Sequence, residues 1–89
     1  MKNNVSLASI EREEAFLKQK YTKELIEMYE QELIAFLEYH VGRSHYKTAC
    51  KYLRRMKKLG ALEKVKELIA FFEEKYKMRP ALLDELSRV

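Results

Sequence analysis

The sequence predicts an all-α protein, a bundle of four to five short amphipathic helices, with a helix-pair solenoid-like fragment as the variant arrangement. Three observations carry this. The 89 residues include only two Gly and one Pro, too few breakers for the many turns of an all-β chain. Apolar residues recur at spacings of three and four, the signature of one helical face. The breakers Gly42, Gly60 and Pro80 also fall where those apolar stripes stop. At 47% hydrophobic and 36% charged, the chain is too apolar to stay disordered. Its length suits one domain with a small core.

From the N-terminus, residues 1–5 read as a frayed start. Ser6 or Ser9 is a candidate N-cap, and Glu11, Glu13 and Glu14 follow where the helix dipole favours acids. Leu7, Ile10, Leu17 and Tyr21 approximate a stripe, with Ala15 and Phe16 beside it. No Gly or Pro occurs between Ser6 and Val41, so one helix of about 35 residues, roughly 50 Å long, competes with a break near Tyr21–Thr22. The break is preferred, with Thr22 as the cap of a second helix. Residues 1–21 are therefore set apart as an N-terminal helix whose packing the sequence leaves open, and residues 22–89 as the helical domain.

In that domain Leu25, Ile26, Tyr29, Leu33, Phe36, Leu37 and His40 line one face of a helix that Gly42 closes in a left-handed conformation. Ser44 would cap the next helix, whose stripe is Tyr46, Ala49, Cys50, Leu53, Met56 and Leu59 before Gly60. A fourth helix, from about Leu62 to Met78, turns Leu62, Val65, Leu68, Ile69, Phe72 and Tyr76 inward. Arg79–Pro80 marks a boundary, because the residue before Pro avoids the helical region and Pro suits a first helical position. Ala81, Leu82, Leu83 and Leu86 form a short last helix. The expected core is headed by Phe36, Tyr46, Cys50, Leu53, Leu68 and Phe72.

Charge is segregated. Between Tyr39 and Leu62 there is no acidic residue, yet these 24 residues hold Arg43, Lys47, Lys51, Arg54, Arg55, Lys57 and Lys58. The other 65 residues hold 11 basic and 14 acidic side chains, so a basic helix hides inside a formal net charge of +4. Lys47, Lys51, Arg54 and Lys58 stand at i, i+4, i+7 and i+11, one row opposite the apolar stripe. Stacked like charges cost a few tenths of a kcal/mol per pair, roughly, so a counter-charge or a function is expected. Three readings stay open. The row is a solvated face or pairs with Glu27, Glu30 and Glu38; it contacts DNA or RNA phosphates; or it docks an acidic surface on a protein partner or another domain of a longer chain. The candidate binding set is Arg43, Lys47, Lys51, Arg54, Arg55, Lys58 and Tyr52, the last as an aromatic that flanks the row and could stack on a base or, on the blander reading, edges the core.

Catalytic and metal centres find little support. His40 and His45 flank a turn, and the single Cys50 completes no tetrahedral set and no disulfide. Cys50 lies on the inner stripe, where a thiol acts as a small hydrophobe. Glu13–Glu14 and Glu73–Glu74 have no apolar pocket around them to raise a pKa, and no Gly-rich phosphate loop is present. No enzyme, cofactor or metal is expected. No signal peptide is visible and no apolar run approaches the ~20 residues that span a membrane, so a cytoplasmic protein without a membrane role is the simplest expectation.

Residues 25–89 also carry a family resemblance. Gly42-Arg43, His45-Tyr46, Tyr52-Leu53-Arg54-Arg55-Met56 and Pro80-Ala-Leu-Leu-Asp-Glu-Leu86 resemble the C-terminal helical region of bacterial SWIM zinc-finger proteins. That family's finger is a Cys-x-Cys…Cys-x-His motif located upstream, which a chain with one cysteine cannot form. The resemblance implies the tail of a longer, nucleic-acid-linked or interaction protein, with no catalytic residue carried over.

Overall fold

A computed structural model describes residues 7–89, so the expectations for residues 1–5 and for a Ser6 cap lie outside the described residues. Within them the protein is all-α, with five helices: α1 Leu7–Lys20, α2 Thr22–Tyr39, α3 Arg43–Lys58, α4 Leu62–Lys75 and α5 Pro80–Leu86. The body is flat, 38 × 32 × 18 Å. No helix among the described residues is long and apolar enough to cross a membrane.

Each boundary has a local cause. The expected break between the first two helices is a single residue, Tyr21, at φ −124° and ψ 43°. Thr22 does not cap α2: its hydroxyl donates to the Lys18 carbonyl at 2.6 Å and so closes α1. Gly42 is the N-cap of α3, at φ 109° and ψ 151°, an extended backbone that only glycine adopts readily. It opens α3, where a left-handed end to α2 was expected, and it displaces Ser44 from the cap into the first turn. At the far end Gly60, at φ 94°, does close α3. The Ala61 amide donates to the Met56 carbonyl and the Gly60 amide to that of Lys57, both at 3.0 Å. This pair of bonds satisfies carbonyls that the helix end would orphan, with buried Ala61 and Met56 as its apolar pair. Pro80 stands at the start of α5 as expected.

Helix α3 is the hub. It packs against α2, α4 and α5, whereas α1 lies on α2. Leu25, Tyr29, Leu33 and Leu37 of α2 meet Tyr46, Ala49, Cys50, Leu53 and Met56 of α3; Val65, Leu68 and Phe72 of α4 with Leu82 and Leu86 of α5 complete the core. Three assignments shift, those of Phe36, Leu62 and Tyr21. Phe36 is only half-buried and packs on the core's edge. Leu62, Tyr21 and Phe16 are exposed, Phe16 most of all at 68%. In α4 the inner register runs Ala61, Val65, Leu68, Phe72, Tyr76, which turns Leu62 about 100° away.

The candidate binding face of the third helix

The cations of α3 divide by the direction they face. Lys47, Lys51, Arg54 and Lys58 are exposed along the outer side, in the expected row. Among the described residues none of the four forms an ion pair. The Lys51 ammonium lies 5.3 Å from the Tyr52 ring centre, and Arg54 Nη2 makes a long 3.4 Å bond to the Arg88 carbonyl. The acids expected opposite them face elsewhere: Glu30 pairs with Lys64 and Glu38 with Lys75, both of α4, at 3.5 Å. The row is thus not neutralised by α2.

The flanking cations behave differently. Arg43 leaves the row for α5, bonding Asp84 at 3.1 Å and Glu85 at 2.7 Å. Glu85 is buried, so this contact supplies the charge that its carboxylate requires, and the two acids raise the Arg43 pKa further. Arg55 turns towards α1. Its Nε and Nη2 grip the two oxygens of Glu14 at 3.0 and 3.1 Å, and Nη1 reaches Glu11 at 3.3 Å. The Tyr29 hydroxyl donates to Glu14 and the Tyr52 hydroxyl to Glu11, each at 2.7 Å. Burial pushes the Glu14 carboxyl up, but the bonds from Arg55 and Tyr29 outweigh it and hold the pKa below the ordinary glutamate value. Burial and the Glu11 bond push the Tyr52 hydroxyl up to about 12, while burial and Glu14 raise that of Tyr29 still more.

Three corrections follow for the candidate set. Tyr52 is buried at 4% exposure, its ring 5.7 Å from that of Tyr29, so it edges the core and presents no face to a base. Arg43 and Arg55 are committed to carboxylates. The open face reduces to Lys47, Lys51, Arg54 and Lys58. Glu11 and Glu14, read as dipole-favoured surface acids, are the residues that sequence reasoning missed. A signal existed for Glu14, which falls on the Leu7, Ile10, Leu17 stripe at i+4 from Ile10.

The His40 and His45 rings stand 4.7 Å apart and both lie against Phe36. His45 Nδ1 is 3.0 Å from the Val41 carbonyl. Cys50 is fully buried, and burial pushes its thiol up to about 11. Among the described residues no three His, Cys, Asp or Glu side chains are gathered to hold a metal.

Comparison with protein-family models, curated proteins and solved structures finds no match.

Proposed function

We propose that the chain is a non-catalytic helical interaction module of the cytoplasm, the C-terminal part of a longer SWIM zinc-finger-type protein. Its outer α3 row docks an acidic surface, on a protein partner or on another domain of that longer chain. One observation carries the binding reading: four exposed cations stand in one line and none of them forms an ion pair, although the described residues form nine ion pairs that engage acids on every other helix. A row left unneutralised at a cost of repulsion fits a surface reserved for an anion. The family part rests on the motifs of residues 25–89 given above.

The second reading is contact with DNA or RNA backbone through the same four side chains. With Tyr52 buried, no stacking platform flanks the row among the described residues, so phosphate contact is what is left to it. A fluorescence-anisotropy titration separates the two, using a labelled acidic Glu/Asp peptide and a mixed-sequence oligonucleotide at two salt concentrations. The docking reading expects saturable peptide binding that is lost when Lys47, Lys51, Arg54 and Lys58 are all Ala. The nucleic-acid reading expects a log–log salt slope of about −3 to −5, reduced by about one to two in Lys51→Ala/Arg54→Ala. Absence of peptide binding, with such a slope for the oligonucleotide, would reverse the ranking.

A further inference from the structure

Three of the four row cations also belong to a concavity. Lys51, Arg54 and Lys58 of α3 and Lys18 of α1 line a groove of about 450 Å³ between the two helices, with Glu14, Arg55 and Leu59 completing its wall. Lys47 lies outside it. Glu14 is held by Arg55 across a two-pronged bond, and Arg55 also reaches Glu11. This leaves Lys18, Lys51, Arg54 and Lys58 as four cations from two helices around one space. None of them forms an ion pair among the described residues.

We propose that this groove binds a phosphate monoester dianion, presented as a phosphorylated side chain of the docking partner. The proposal deepens, and rests on, the reading of α3 as the face for an acidic protein. The convergence points to the ligand class. A single carboxylate brings one charge and two oxygens, enough for one or two cations. A phosphate monoester brings about −1.5 to −2 charges and three strong acceptors, which match four donors closing from both sides. The Arg54 guanidinium makes only its long carbonyl bond, so its fork remains for a two-pronged contact of the kind that favours phosphate. Leu59 offers apolar contact to the stem that carries the group. A phosphodiester chain has one charge per phosphate spread along a line. It would engage Lys47 as strongly as Lys58, whereas the groove excludes Lys47 and includes Lys18.

The test uses the whole chain and three labelled peptides of one acidic sequence with Ser, Glu or phosphoserine at the centre, beside the mixed-sequence oligonucleotide. The phosphoserine peptide should bind tightest, about tenfold over the Glu peptide. Lys18→Ala should remove most of that advantage and leave the weaker Glu-peptide binding, which the α3 row carries, in place. Lys47→Ala should weaken all three peptides alike and preserve the advantage. Lys18→Gln serves as a second variant, and circular dichroism checks that each variant is folded. Equal affinity for the phosphoserine and Glu peptides overturns the phosphate site while the acidic-docking reading survives. No binding of any peptide overturns both. An oligonucleotide that outcompetes the phosphoserine peptide at physiological salt overturns the monoester in favour of a phosphodiester.

Discussion

Against α2, α4 and α5 the third helix presents Tyr46, Cys50, Leu53 and Met56, all buried. Towards α1 it presents Tyr52 and Arg55, which hold Glu11 and Glu14 through hydrogen bonds and ion pairs. The two interfaces obey different physics. Apolar burial scales with area and involves no titrating group. The polar clamp on α1 is directional, depends on ionisation, and is expensive to leave half-made. Helix α1 adds only Leu7 and Ile10 to the buried core, with Leu17 partly buried. The chain thus joins a body, α2–α5, held mainly by apolar burial although it includes the Arg43–Glu85 contact, to a helix α1 that packs on α2 and meets α3 through a charged clamp.

The comparison breaks most visibly at Leu53, fully buried at the hub. Leu53→Ala is expected to cost about 2–4 kcal/mol, read as a lower urea midpoint; an unchanged midpoint would mean that α3 is not the hub. Arg55→Ala should cost less, about 1–3 kcal/mol, because it takes the cation from the Glu14 carboxylate and from Glu11. Arg55→Lys should recover only part of this, since an ammonium cannot span both Glu14 oxygens. Full recovery would show that charge alone, without the two-pronged geometry, makes the clamp between α3 and α1.

Acid should separate the two regions. The Glu14 pKa is lower in the folded chain than in the unfolded one. Its contribution is therefore complete above the unfolded value of about 4.3, and it fades as the pH falls through the lowered folded value. Stability should decline below about pH 4.3 more steeply in the native sequence than in Glu14→Gln, and identical acid limbs would remove Glu14 from the clamp. The smallest effect belongs to the outer row. Lys47→Ala/Lys51→Ala should move the unfolding free energy by no more than about 0.5 kcal/mol, because neither side chain pairs with an acid in the fold.

What could be read in advance follows the same divide. Stripes of Leu, Tyr and Phe and the breakers at Gly60 and Pro80 located the helices, because amphipathic period and backbone conformation are local properties. The partners of Arg43 and Arg55 were not legible, since Glu85 and Glu14 lie 42 and 41 positions away and nothing local encodes which carboxylate arrives. Tyr52 shows the boundary between the two cases. It sits three residues after Ala49 and four before Met56, a spacing that carries it to the core's edge as its blander reading had it, yet its neighbours Lys51 and Arg54 kept it in the candidate binding set. Tyr21 departs in the opposite sense: its place on the α1 stripe suggested burial, but it is exposed at the joint between α1 and α2, its ring 6.5 Å from that of Phe16.

The lone thiol of Cys50 has a practical consequence. It is sealed at the centre of α3 and held in its unreactive protonated form well above neutral pH. An alkylating reagent therefore reaches it only in molecules whose hub has opened, and only the thiolate then reacts. Under mild reagent the labelling rate is the intrinsic thiol rate scaled by the fraction of open molecules. With one cysteine in the chain, that signal comes from a single place. The protein thus carries a built-in clock for core opening, readable by mass spectrometry without any engineered probe, and release of α1 alone should leave it silent.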